Sequence, residues 1–359
     1  MHRLQFHYTL TRDHHSALVR NPLIDLLQAV AANGSISAGA KALGLSYRHV
    51  WGELKRWENE LGNELVVWEK GQSARLTEFG SKLMWAERQA QARLAPQIEA
   101  LRADLERAYA VAFDPQAHVA SLYASHDDAL GLLREHALEN QVHLDIHFCG
   151  SVDSLRGLNE GRCVMAGFHT LQNPAQGTWA EKIYKPLLQP GLHKIIGFAH
   201  RTQGLIVAQG NPLDLQSLQD LATRQVRFVN RNLGSGTRVV LDELLQQQGI
   251  ASARIRGYLD TEPSHTAVAH AVAAGEADAG LGIEIAARAL GLSFVPLVQE
   301  SYHLVCLKSA LEEPPIAALR QVLQSSEWKQ KLSEIAGYSP HTCGEVLSLR
   351  AVLPWWRFS

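Results

Sequence analysis

Four short polar clusters in this 359-residue chain have the residue types needed to hold an anion. They are Ser125-His126, Gly150-Ser151, Gly234-Ser235-Gly236-Thr237 and Ser264-His265, each between a strand-like apolar run and a helical one. The first turn of a helix leaves backbone N–H groups unpaired, and its dipole favours negative charge. Glycine lets the backbone come close to a ligand, and serine or threonine hydroxyls add donors. Arg231 and Arg238 flank the third cluster with positive charge. Glu262 and Glu284 offer acceptors to a ligand, or partners to those arginines. The plainer alternative is that the Ser and Thr residues only cap helices. Recurrence at matched positions of a repeat favours the anion. The candidate ligand-binding residues are therefore Ser125, His126, Gly150, Ser151, Arg231, Gly234, Ser235, Gly236, Thr237, Arg238, Glu262, His265 and Glu284.

The clusters do not suit catalysis. Gly234–Thr237 is neither a nucleophile elbow nor a P-loop, since no Gly-Lys-Thr/Ser follows. His126-Asp127-Asp128 are adjacent and rarely converge on one atom, and their carboxylates suit a helix N-terminus better. Among 17 histidines and four scattered cysteines (Cys149, Cys163, Cys306, Cys343) none falls at metal-ligand spacing. The cysteines read as reduced, mostly buried thiols of a cytosolic protein. No metal and no cofactor is expected.

A second constellation suits DNA. The first residues of a recognition helix enter the major groove, and here they are Ser46, Tyr47, Arg48 and His49, with Lys55 and Arg56 further along. Arginine reads guanine, while serine and tyrosine position phosphates. Lys70, Ser73 and Arg75 could reach the neighbouring backbone from a wing, and Ser35 and Ser37 stand at the start of the preceding helix. The alternative is an ordinary solvated helix face. Residues 1–113 carry 14 basic and 12 acidic residues against 20 and 24 in residues 114–359, so the basic excess falls on the segment meant for phosphate.

These residues need elements to position them. Leu23, Leu26, Leu27 and Val30 mark a helix ending at Asn33-Gly34. A short helix over 37–43 stops at Gly44, and Ser46 caps a third, whose buried stripe is Val50, Leu54, Trp57 and Leu61. Leu65–Trp68 and Ala74–Leu76 then make a hairpin, completing a winged helix-turn-helix. Thr77 caps a long helix over about 78–112 whose seam is Leu94, Ile98, Leu101, Leu105, Ala108 and Ala112, with Pro96 expected to kink or break it.

From Pro115 strands alternate with helices, twice, at an offset of about 110 residues. The first copy has strands 118–124, 143–148 and 163–169, with helices 129–140 and 152–159. The second has strands 226–230, 254–258 and 277–283, with helices 238–248 and 266–274. Lys194–His200 and Gly204–Ala208 lead out across a hinge, Tyr302–Lys308 returns, and the last helices pack on the first lobe. The chain thus divides into a winged helix-turn-helix domain (1–82), a dimerisation or linker helix (83–113) and a two-lobed α/β sensing domain (114–359). No run of 18 apolar residues exists and the N-terminus shows no secretory signal, so a cytoplasmic location is expected.

The segment Leu26–Leu83, with GSISAGAKALGLSYRHVW (34–51) and ARLTEFG (74–80), resembles the winged domain of molybdate-responsive repressors and, more distantly, that of LysR-type regulators. The resemblance implies major-groove reading by Ser46–Trp51, a wing at Lys70–Arg75 and dimerisation through the next helix. Residues 116–345 instead resemble a periplasmic-binding-protein-type domain, on FVNRNLGSGTR (228–238) and AVAAGEADAGLGI (271–283). Ala124–Leu133 and Arg231–Thr237 are similar to the two binding turns of tungstate-binding transport proteins. The Thr/Ser-rich first turn of those proteins is mostly replaced here, leaving Ser125 with His126 and room for another anion. The resulting expectation is a homodimeric regulator of double-stranded operator DNA with molybdate or tungstate as effector. Activator and repressor modes, and higher oligomers, stay open. The alternatives are an organic anion or molybdenum-cofactor-related metabolite as effector, or a non-regulatory ligand-binding module in metal-cofactor metabolism.

Overall fold

The structure, a computed structural model, describes residues 21–67, 73–113 and 118–356. It forms two compact units, Met1–Gln91 and Ala92–Ser359.

In the first unit α1 (Pro22–Asn33) starts where Asn21 accepts from the Leu23 N–H and ends at Gly34 in the left-handed region. Ser35 caps α2 (Ile36–Ala42), and Ser46 caps α3 (Tyr47–Leu61), which Gly62 ends. Leu27, Val30, Ile36, Val50, Leu54 and Leu65 form the core. The α3 stripe differs from expectation. Val50 and Leu54 are buried, Trp57 and Leu61 only half-buried, and the third buried position is Glu58. Its Oε1 accepts from the Leu65 (2.9 Å) and Val66 (3.2 Å) amides and its Oε2 from Lys55 (2.6 Å), so a carboxylate ties the helix to the hairpin. That hairpin pairs β1 (Val66–Val67) antiparallel with β2 (Arg75–Leu76). Helix α4 (Glu78–Phe113) follows, and Thr77 Oγ1 accepts from the Gly80 N–H at 2.9 Å. The expected break at Pro96 does not occur. The helix runs through it as one element, with the proline buried and its missing N–H leaving one backbone bond unmade.

The second unit contains, in order, β3 (His118–Ala124), α5 (Asp128–Glu139), β4 (Val142–Phe148), α6 (Ser151–Asn159), β5 (Met165–Leu171), α7 (Trp179–Tyr184), β6 (His193–Val207), α8 (Leu218–Thr223), β7 (Phe228–Arg231) and α9 (Gly236–Gln247). Then come β8 (Thr261–Glu262), α10 (His265–Ala273), β9 (Ala279–Ile283), α11 (Glu284–Arg288), β10 (Ser293–Leu307), α12 (Pro314–Gln324), α13 (Ser326–Ser333), β11 (Tyr338–Pro340), β12 (Val346–Ser348) and α14 (Leu349–Val352). The strands order as β4-β3-β5-β10-β6-β9-β7-β8, with β11 and β12 also on β6. β3 and β7 pair parallel with their neighbours, as βαβ units require. The 15-residue strands β6 and β10 pair antiparallel from Ser293 opposite Val207 to Leu307 opposite His193, and so pass through both lobes. The two expected outgoing segments are therefore one strand. α12 and α13 return to the first lobe, where Ile316, Leu319 and Trp328 join Leu122, Leu133 and Ile146 in one core.

The expected strand over 254–258 is absent. Ser252–Arg254 is a 3-10 turn, and the chain then reverses at Gly257, where φ is +86° and a Cβ would lie 2.0 Å from the Phe228 carbonyl oxygen. The ladder beside β7 is made by Thr261–Glu262 instead. All four cysteines are free. No helix among the described residues is long and apolar enough to cross a membrane.

Candidate functional site

The strand C-termini of both lobes bring most of the polar clusters together. Gly150 and Gly234 meet across the lobes: a Cβ on Gly150 would lie 2.8 Å from the Gly234 oxygen, which accepts from the Val152 N–H at 3.3 Å. Gly236, which opens α9, lies against the His169 ring, leaving no room for a side chain. Ser125 Oγ lies 3.4 Å from Ser151 Oγ, which lies 3.4 Å from His169 Nδ1. From the second lobe Thr237 Oγ1 sits 3.4 Å from His265 Nε2 and accepts from Gln203 Nε2 at 3.0 Å. Ser125, Ser151, His169, Arg231, Thr237 and His265 are all buried, so the centre is shut from solvent.

Its electrostatics are unusual. Arg231 is 2% exposed, and its Nε and Nη1 have no partner among the described residues. Burial, then repulsion from Arg201, push its pKa down to about 9, partly opposed by Asp127 and Glu262, so it stays cationic at neutral pH. His169 and His265 are held well below their ordinary value by burial and by Arg201 and Arg231, and are neutral. His169 Nε2, His265 Nδ1 and the Tyr302 hydroxyl also lack partners among the described residues. A buried guanidinium and two neutral imidazoles thus bring nitrogens without partners to one centre, an arrangement that buried polar groups rarely show.

The crossing strands were legible in the sequence, but the buried charge network they carry was not. Arg201 and Glu300 face each other on β6 and β10, and the Arg201 guanidinium donates to both Glu300 and Asp127. Tyr338 donates to Asp127 at 2.7 Å, and Gln203 Nε2 donates to Glu300 Oε1 at 3.0 Å as well as to Thr237. Burial raises the Glu300 pKa against the pull of Arg201. The only signal in the sequence was a charged residue inside a long apolar strand.

Other candidates are not brought to this centre. Arg238 pairs with Asp242 at 3.2 Å and lies 3.9 Å over the Tyr258 ring. Glu284 pairs with Arg288 at 2.5 Å. Glu262 is gripped by Arg93 of α4, Nη2 to Oε1 at 2.6 Å and Nε to Oε2 at 2.9 Å. The capping alternative holds for Ser235 and Ser264, whose hydroxyls accept from the Arg238 and Ala267 amides. It does not hold for Ser151, since α6 is capped by Gly150 without a side-chain bond. His126 stands half-buried 4.8 Å from the Phe148 ring.

In the first unit Ser46, Tyr47, Arg48 and His49 are exposed in the first turn of α3, as are Ser37, Ser73 and Arg75, while Ser35 is a half-buried cap. Tyr47 and Trp51 stack at 6.2 Å. Lys55 pairs with Glu58 and Arg56 with Glu53, both at 2.6 Å, so their charges are partly spent within the helix. Arg48 makes no ion pair among the described residues. Lys70 lies outside the described residues.

Comparison with known proteins agrees with both units. Residues 23–81 match the profile of the bacterial regulatory helix-turn-helix proteins of the lysR family. YvgK of Bacillus subtilis (strain 168), itself uncharacterized, is 33% identical over 236 residues, 65% of this chain and 75% of that protein. An uncharacterized protein from the 5' region of a ferredoxin 2Fe-2S gene of Clostridium pasteurianum is 32% identical over 111 residues, 31% of this chain and 98% of its own. The crystal structure of CbnR, a LysR family transcriptional regulator, is 20% identical, covers 84% of this chain and 98% of its own, and overlays with a TM-score of 0.39. Residues 133–324, more than half of the chain, match the PBP superfamily domain, so the chain belongs to the PBP superfamily and carries a lysR-family helix-turn-helix domain ahead of its PBP domain.

Proposed function

We propose that this protein is a homodimeric, DNA-binding transcription regulator whose inter-lobe site takes a small anion, molybdate or tungstate as first choice. The observation that carries the anion is Arg231, a buried cation without an acceptor, beside neutral His169 and His265 and the hydroxyls of Ser125, Ser151 and Thr237. DNA contact rests on the helix-turn-helix and the exposed first turn of α3. Dimerisation rests on α4, where Leu94, Leu101 and Leu105 are exposed at seam spacing. The seam's Ala108 and Ala112 lie outside the residues whose side chains are described.

One observation favours an organic anion as a second reading. Gln203 Oε1 and Glu300 Oε2 are buried acceptors without partners among the described residues, and a fully ionised tetrahedral oxyanion has no donor to give them. Calorimetry and thermal denaturation of the full chain with molybdate, tungstate, sulfate and formate test the reading. A bound oxyanion at a hundredfold its Kd should add about 2.7 kcal/mol of stability. Arg231→Ala should lose that gain, while Ser235→Ala should lower basal stability by about 1 kcal/mol through its lost cap and leave binding intact. No gain with any oxyanion transfers the site to an organic carboxylate carrying a donor.

A further inference from the structure

Glu262 stands between two arginines that belong to different jobs. The parallel pairing of β7 and β8 sets it opposite Arg231, the unpartnered cation of the inter-lobe site. Both its oxygens are nevertheless taken by Arg93 of α4, the helix that continues from the helix-turn-helix unit. Glu262 is 3% exposed, whereas the Arg93 side chain is 51% exposed, so the carboxylate is the fixed member and the arginine the one that can leave. A second contact lies beside it, where Ser264 Oγ donates to the Ala92 carbonyl at 3.4 Å. Glu262 also lies near enough to Arg231 to support its positive charge.

We infer that Glu262 is a shared carboxylate, exchanged between Arg231 when the inter-lobe site is empty and Arg93 when an anion occupies it. The inference rests on the anion reading of the site. A buried guanidinium without an acceptor is unfavourable; Asp127 is already held by Arg201 and Tyr338, which leaves the carboxylate opposite it in the ladder to relieve it. An anion at Arg231 removes that demand and frees Glu262 to grip α4. Occupancy of the site is thereby converted into docking of residues 92–93 of the helix, through differential contacts rather than distance. By reciprocity, a docked α4 raises the anion affinity.

The test uses the full chain in two arms. In the first no anion is added, and amide exchange is followed in the α4 segment around Arg93. Arg231→Met removes the competitor and replaces a buried unpaired charge with an apolar side chain of similar length, a change the fold should accept. Its α4 segment should exchange about tenfold more slowly than wild type, and in Glu262→Gln about tenfold faster. Wild-type exchange in Arg231→Met overturns the inference, whether or not any oxyanion binds. In the second arm molybdate is titrated. Arg93→Gln should bind about tenfold more weakly and Glu262→Gln more tightly. In the Glu262→Gln background, Arg93→Gln should change nothing, and a full loss there would show Arg93 acting only as a distant charge. If wild type binds no oxyanion, the molybdate reading fails and the first arm still decides the exchange.

Discussion

At the scale of single residues the second unit holds charge in places water does not reach. His303 is buried, with Nε2 3.0 Å from Thr170 Oγ1, and burial together with His341 and His200 lowers its pKa to about 3. His169 and His265 are depressed in the same direction. In the unfolded chain each titrates near 6.5. Below that pH the unfolded state binds more protons than the folded one, so the stability these groups contribute is present above about 6.5 and lost as pH falls. Denaturant unfolding followed from pH 8 to pH 5 should show stability falling by up to about 1.4 kcal/mol per pH unit for each such histidine. Removing His303 with a neutral amide, His303→Asn, should flatten that slope, and an unchanged slope would mean the imidazole is not kept neutral. Some of this chemistry was legible in the sequence. Arg231, Ser151 and Thr237 sit in turns whose composition announces them. His169, Arg201, Gln203 and Glu300 come from strand interiors, and Arg201 and Glu300 meet across a separation of 99 residues that no local pattern encodes.

Among elements, the two long strands carry more than a hinge. β6 supplies Arg201 and Gln203, β10 supplies Glu300, and the turn after β3 supplies Asp127, so the ion network ties the first lobe to both crossing strands. Removing one member leaves buried charge uncompensated, and Arg201→Ala should destabilise the second unit by about 3–5 kcal/mol in chemical denaturation. A loss below about 1 kcal/mol would mean that the network is solvated. Element boundaries were readable wherever a side chain or a glycine sets them locally. Ser46 and Thr77 begin helices, and Gly34 and Gly62 end them, while the second helix starts at Ile36 behind its Ser35 cap, a position earlier than its composition suggested. The segment 254–258 misled because Ile255 between two arginines looks like a fragment of a strand, while Gly257 packs on the Phe228 carbonyl in a conformation only the fold reveals. Glu58 misled for a related reason. A carboxylate at a core position is stable only because two amides from the hairpin and Lys55 reach it, and those bonds hold its pKa below the usual value despite the opposing effect of burial.

For the molecule as a whole, the exposed leucines of α4 give the assembly prediction. Leu101 is 61% exposed and Leu105 41%, an arrangement that wastes apolar area in a lone chain. If the proposed dimer forms through this seam, charging both, Leu101→Glu with Leu105→Glu, should convert it to monomers in sedimentation and weaken operator binding at least tenfold, since one head loses the gain from its linked partner. A monomeric wild type in the same experiment would remove the seam.

The contact of Gly150 with Gly234 has a consequence in time. With the Val152 amide bonded across the lobes and Ser151, His169 and Thr237 buried, the centre is closed to solvent among the described residues, so the anion proposed for it would enter only as the lobes part. At high effector concentration the observed association rate then reaches a ceiling set by opening, not by diffusion. A captured anion leaves no faster than the same motion permits. A sensor working as proposed would keep a memory of recent exposure, because its response would lag a fall in concentration by the lifetime of the closed state.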